Sequence, residues 1–159
     1  MEIRSVSYHL LGGIQETNLS NLPENYFLKY YLYHEACWPE LSFVAVDTET
    51  GAVVGYVLAK LDEASEKEEQ RIGHITSLSV NRSHRRMGVA HRLMAQSEKA
   101  MQEVYRAGAI SLHVRVSNKA ALHLYEESLK FTHDRTEVKY YADGEDAFCM
   151  KKVLPIPMD

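Results

Sequence analysis

Cysteine is scarce in this chain. Cys37 and Cys149 are the only two, far apart and outside any C-x-x-C spacing. That excludes a disulfide framework and a cysteine zinc site, and points to two free thiols in a reducing compartment. Excess positive charge is also missing: 18 Lys and Arg stand against 22 Asp and Glu, for a net charge of −4 at pH 7. A protein that grips nucleic acid by bulk electrostatics needs the opposite balance. No apolar window is long enough to span a bilayer. The start, "MEIRSVSYHLLGG", puts charges ahead of any apolar run, unlike a secretory leader. The expected compartment is the cytoplasm, with the nucleus also open. Neither G-x-x-x-x-G-K-[ST] nor G-x-G-x-x-G occurs, so a nucleoside-triphosphate loop and a dinucleotide fold lack support. Repeats, linkers and low-complexity segments are absent.

What is present is ordinary at the level of composition. With 45% apolar and 25% charged residues over 159 positions, the chain has the make-up and length of one soluble domain with a real core. Residues 2–8 alternate as a first strand, and "HLLGGIQETNLSNL" reads as a helix that stops near Asn21, before Pro23. In "YFLKYYLYHEACW", Tyr26, Tyr30, Tyr33 and Cys37 recur at helical spacing, the pattern of a core-facing stripe. Strands are predicted over 41–47 and 52–62, followed by an exposed charged loop over 63–71. A strand over 72–80 would set His74, Thr76, Leu78 and Val80 on one side and Ile75, Ser77 and Ser79 on the other.

From Gly88 the period lengthens, and an amphipathic helix of about five turns runs to Tyr105. A strand over 109–116 carries His113 and Arg115 on its less apolar side, and a helix over 117–129 is capped by Ser117 or Asn118. Two last strands, 131–141 and 146–153, are joined by "YADGED", whose Asp-Gly is a hairpin signal. The order β-α-α-β-β-β-α-β-α-β-β predicts a single α/β domain over 1–153, a mixed sheet of about seven strands with about four helices. A short tail occupies 154–159.

The stretch "SVNRSHRRMGVAHRL" lies at the strand-to-helix junction. A helix's first N–H groups lack internal partners and sit at its positive dipole end. A loop that delivers several such groups there suits phosphate oxygens, and Gly88 would let them approach the backbone, with Arg85 and Arg86 adding charge. A solvated basic turn is the plain alternative.

Two motifs separate these readings. "RRMGVA" fits [QR]-x-x-G-x-[GA], and "NKAALHLYEESLKF" carries Asn-x-x-Ala-x-x-Leu-Tyr at Asn118, Ala121, Leu124 and Tyr125. Together they resemble the GCN5-related N-acetyltransferase (GNAT) superfamily. Within it, "NLPENYFLKYYLYH", "HITSLSVNRSHRRMG", "SLHVR" and "KYYADGEDAF" are similar to the catalytic subunits of NatA-type protein N-terminal acetyltransferases, across residues 1–153.

The resemblance implies acetyl transfer from acetyl-coenzyme A to the α-amine of nascent chains. First residues would be small (Ser, Ala, Thr, Gly, Cys or Val) when a large helical-repeat auxiliary subunit docks the enzyme on ribosomes, and acidic without that subunit. It implies no metal, no direct nucleic-acid contact and no membrane. The coenzyme would meet Leu78, Val80, Arg85, Arg86, Gly88, Val89, Ala90, Asn118 and Tyr125. The peptide would meet Leu22, Pro23, Glu24, Tyr26, His74, Tyr140 and Tyr141. Chemistry would fall to Glu24, His74, Arg115, Tyr125 and Tyr141.

Each of these has a plainer reading. Glu24 could be a solvated loop acid, His74 a satisfied strand histidine, Arg115 a paired charge and Tyr125 core packing. A lysine or small-amine acetyltransferase on the same fold, and a coenzyme-binding module without turnover, remain as alternatives.

Overall fold

The computed structural model describes residues 1–7, 10–22, 28–65 and 70–155. Seven strands form one sheet: β1 (Glu2–Ser5), β2 (Phe43–Val46), β3 (Val53–Leu61), β4 (Ile72–Val80), β5 (Ala109–Arg115), β6 (Thr132–Glu137) and β7 (Ala147–Val153), in the order β1-β2-β3-β4-β5-β7-β6. The helices are α1 (Leu11–Asn21), α2 (Leu28–Cys37), α3 (Val89–Tyr105) and α4 (Lys119–His123), the last continuing as a π turn over Leu124–Ser128. Every strand pair is antiparallel except β4 with β5, which the α3 crossover makes parallel.

Burial follows from helices on both faces. β3 is buried along nearly its whole length, as a strand covered on two sides must be. On one face Leu11, Ile14 and Tyr31 pack on Val44, Val46, Tyr56 and Leu58. On the other, Val89, Leu93, Met94 and Met101 of α3 pack on Ala45, Val57, Ala59 and Ile75. The predicted stripe on α2 is corrected here. Tyr31 and His34 are its buried residues, whereas Tyr33 and Cys37 are exposed. Tyrosines lie all round this helix, so their spacing alone does not choose a face.

The predicted facing of β4 is corrected too. Leu58 pairs with Ser77 but Ala59 pairs with Ile75, so Thr76 is an extra residue in the ladder, a β-bulge. One added residue inverts the alternation beyond it. Ile75, Leu78 and Val80 therefore pack with the α3 core, while Ser77 reaches Tyr56 on the α1 side and Thr76 reaches His34 of α2.

The bulge sits where the sheet divides. β4 pairs with β5 only over Ile72–Ile75 against Ala109–Leu112, after which the two parallel strands separate. The last two strands are shorter than predicted on one side: β6 ends at Glu137, not near 141. Lys139 turns into the left-handed region (φ 52°), and its N–H bonds to Asp146 Oδ1, lifting 138–146 out of the ladder. The Asp-Gly turn survives at the tip, with Gly144 at φ 89°.

Candidate active site

Where β4 and β5 part, a cavity of about 320 Å³ opens. Its walls come from five places: Leu22 and Tyr30; Lys60 of β3; His74 to Leu78 of β4; Leu112 to Arg115 of β5; and Asn118, Ala121, Tyr125, Tyr140 and Tyr141. Of the residues singled out from sequence, Leu22, His74, Leu78, Arg115, Asn118, Tyr125, Tyr140 and Tyr141 meet here. Pro23, Glu24 and Tyr26 lie outside the described residues.

A ring ladder crosses the floor. His113 stacks on Tyr140 with centroids 4.3 Å apart, His74 lies 5.3 Å from His113, and Tyr140 meets Tyr141 edge-on. His74 Nδ1 is 3.0 Å from Ser111 Oγ, so one imidazole nitrogen is tied, and among the described residues the other has no hydrogen-bond partner. Burial, with His113 and Lys60 nearby, drives the His74 pKa down to about 3. Burial also lowers that of His113, whose Nδ1 is buried with no hydrogen-bond partner among the described residues. Both rings are therefore neutral at physiological pH, and burial makes them weaker bases than a free imidazole.

Arg115 is a paired charge as well as a cleft residue. Its guanidinium lies over the Tyr141 ring at 4.1 Å and bonds Asp143 at 2.8 Å and Glu145 at 3.0 Å. Glu145 also accepts from the Ser117 N–H. This clamp holds the 138–146 connection, and with it Tyr140 and Tyr141, against the end of β5.

The opposite wall depends on a second histidine. His34 Nδ1 lies 2.9 Å from the Tyr30 carbonyl, which can only accept, so Nδ1 carries the proton. Nε2 then accepts from the Thr76 hydroxyl at 2.7 Å, pinning the bulge to α2. Burial first, then Lys60, takes the His34 pKa down to about 4. Tyr125 enters from the side of α4 and its π turn, edge-on to Phe131. It is buried, yet its hydroxyl has no hydrogen-bond partner among the described residues while the side chain lines the cavity. Burial raises its pKa, so it is a protonated donor. Asn118 caps α4, accepting from the Ala121 N–H at 3.1 Å, which settles the choice between Ser117 and Asn118.

β4 runs straight into the glycine loop. Arg86 (φ 63°) and Gly88 (φ 74°) are both left-handed, and Gly88 is the N-cap of α3. Alternating handedness of this kind turns successive N–H groups toward one point. Within the described residues no acceptor takes the N–H groups of Met87, Gly88, Val89 or Ala90. A Cβ at Gly88 would meet nothing within 4 Å, so the loop is open above the glycine. Arg85 is committed elsewhere, bonding the Val80 carbonyl at 3.0 Å and Asn21 Oδ1 at 3.1 Å, and so braces the loop against α1.

Sequence reasoning passed over His113, Lys60, Tyr30 and the His34–Thr76 pair as site residues. The signal for His113 was present: it lies two positions before Arg115 and so shares its face of β5.

An amide cradle at the start of a crossover helix, leading into a cleft between two splayed parallel strands, defines an acyl-coenzyme-binding fold. Residues 12–131 match the acetyltransferase (GNAT) family, and the chain belongs to it. It is 58% identical over 152 residues to the N-terminal acetyltransferase A complex catalytic subunit ard1 of Schizosaccharomyces pombe, covering 96% of this chain and 85% of that one. It is 51% identical over 152 residues to the N-terminal acetyltransferase A complex catalytic subunit NAA10 of Arabidopsis thaliana, covering 96% and 77%. Among solved structures, the NatB acetyltransferase complex bound to CoA and MES superposes with a TM-score of 0.85 at 32% identity, covering 98% of this chain and all of that one.

Proposed function

We propose that this acetyltransferase moves the acetyl group of acetyl-coenzyme A onto the α-amine of polypeptides whose first residue is small and exposed after Met removal. The observation that carries the reading is the cleft itself, with an unpaired amide cradle at one end and neutral imidazoles and tyrosines at the other. The names of its relatives support it.

Coenzyme binding fits the residues present. The amides of residues 87–90 would hold the pyrophosphate, Arg86 adds charge, and Gly88 leaves room for close approach. The backbone of Leu78 and Val80 would meet the pantetheine arm, while their side chains stay with the α3 core. When bound, the coenzyme supplies acetyl activated as a thioester.

The protein's own part is positioning and proton handling. An α-amine has an unperturbed pKa of about 8, so a modest base suffices. His113 and His74 line the cleft as neutral imidazoles of lowered basicity, so they would orient the incoming amine by hydrogen bonding while its proton passes to solvent. Tyr125 would donate to the departing sulfur. Arg115, through its clamp on residues 143–145, holds Tyr140 and Tyr141 against the peptide. Leu22, Pro23, Glu24 and Tyr26 would receive the first side chain.

Both complex subunits named above are catalytic parts of larger assemblies. A large helical auxiliary subunit, and the ribosome through it, are the partners proposed for this chain. Leu19 of α1 and Leu28 of α2, 61% and 41% exposed, are apolar side chains that such a subunit would cover. The test is acetylation of Ser-starting, Glu-starting and internal-lysine peptides, with and without that subunit. Transfer to the Ser α-amine in the complex is expected. Transfer to lysine alone, or to no amine, would overturn the reading.

A further inference from the structure

One charge in the cleft has no counterpart among the described residues. Lys60 lines the cavity on β3, directly across the ladder from His74. Among the described residues it has no ion-pair or hydrogen-bond partner, although it is only partly exposed on a central strand. The groups around it are accounted for. On β4, His74 is neutral and bonded to Ser111. On α2, His34 is neutral between Tyr30 and Thr76, and Tyr33 bonds Glu63 on the segment following β3. On β5 and beyond, His113 is neutral, and Arg115 takes both Asp143 and Glu145. Among the described residues, which do not include Glu24, no carboxylate bonds Lys60 and the rings that share its pocket are neutral, while Arg115, the other cation of the lining, is covered by two carboxylates. The field of a charge beside a cleft reaches whatever enters it.

We propose that Lys60 is a positioning residue that sets the protonation state of the bound amine, its ammonium disfavouring entry of the substrate's α-ammonium form and admitting the neutral amine. The idea rests on the N-terminal acetyltransferase reading above. The proton is left with solvent before the amine enters, no bond forms at Lys60, and the amine's lone pair arrives ready for attack. His74 and His34 feel the same field, which helps to keep them uncharged.

The role has a kinetic signature that lost packing does not share. With the ammonium present, the amine in the complex titrates below its value in free solution. The acid limb of kcat then lies below that of kcat/KM, since kcat/KM reports the free substrate and kcat the complex.

The experiment uses the full chain with its auxiliary subunit, saturating acetyl-coenzyme A and a Ser-starting peptide from pH 6 to 9. In Lys60→Met the acid limb of kcat should move up by about one pH unit while that of kcat/KM stays at the free amine's value. At pH 7 both kcat and the peptide KM should fall, because the α-ammonium now binds unproductively. Lys60→Arg should restore the wild-type profile. If Lys60→Met does not fold, Lys60→Gln carries the same comparison.

An unmoved kcat limb, or a KM that rises as kcat falls, would overturn the proposal. So would a KM increase confined to Glu-starting peptides, which would make Lys60 the partner of a substrate carboxylate. Absence of any α-amine acetylation by the wild-type complex would instead sink the functional reading on which this rests.

Discussion

Replacing Gly88 by alanine separates what the loop does for the fold from what it does for the coenzyme. The residue sits at φ 74° as the N-cap of α3, and an added Cβ meets no heavy atom of the protein within 4 Å. Folding should therefore lose only the left-handed cost of an L-residue, about 1–2 kcal/mol. In a chain of this size that lowers Tm by roughly 2–8 °C. The methyl instead points into the space where phosphate oxygens would approach the unpaired amides. Melting curves with and without coenzyme A read both effects. At about a hundredfold excess over Kd the wild type should gain about 2.7 kcal/mol, and a tenfold weaker variant only about 1.4 kcal/mol. The coenzyme-induced rise in Tm should thus fall by about half. Gly73→Ala is the control: its Cβ collides with the Met101 sulfur in the core, so Tm should fall while the response to coenzyme persists. If Gly88→Ala lowered Tm but kept the full coenzyme response, the amide cradle would be refuted.

Two further outcomes follow from the cleft. Tyr125→Phe removes a hydroxyl with no partner among the described residues, so stability should change by less than about 0.5 kcal/mol. Peptide kcat should meanwhile fall on the order of tenfold to a hundredfold with the coenzyme response intact, and an unchanged kcat would leave Tyr125 as packing. Acid should also weaken the fold in a defined window. Below about pH 6.5 the unfolded chain protonates His34 and His74, whereas the folded chain does so only near about 4 and about 3. Each histidine should then cost about 1.4 kcal/mol per pH unit as the pH falls between those limits. Urea titrations at pH 7.5, 6 and 5 would read the slope. His34→Gln should remove about one proton's worth of it, and an identical slope in that variant would disprove the assignment.

The element order was legible because hydrophobic period changes sharply at Gly88 and again after Arg115, and the loop glycine announced a helix N-terminus. Three features left no such trace. The bulge at Thr76 is invisible because buried and half-buried residues still alternate along β4 while their side chains change faces. The buried side of α2 was hidden by tyrosines on every side, the deciding residue being His34, whose buried nitrogens are satisfied by one local and one long-range hydrogen bond. Residues 138–146 look like strand and turn, and only the left-handed Lys139 and the Arg115 clamp show why they leave the sheet. Arg85 reads as a phosphate ligand in the motif but is spent on Val80 and Asn21. Lys60 gave no signal, since a lone lysine in an apolar strand resembles any exposed charge.

The parallel seam of four residue pairs has a mechanical meaning. It is the short spine that joins two leaves, β1 to β4 and β5 to β7 with β6. The glycine loop belongs to the first leaf, while His113, Arg115 and the two tyrosines belong to the second. A molecule seated between them would act as a missing rung, tying together edges that backbone hydrogen bonds leave unjoined. Occupancy should therefore slow amide exchange in Leu78–Val80 and His113–Arg115 together, as one stiffening event felt on both leaves.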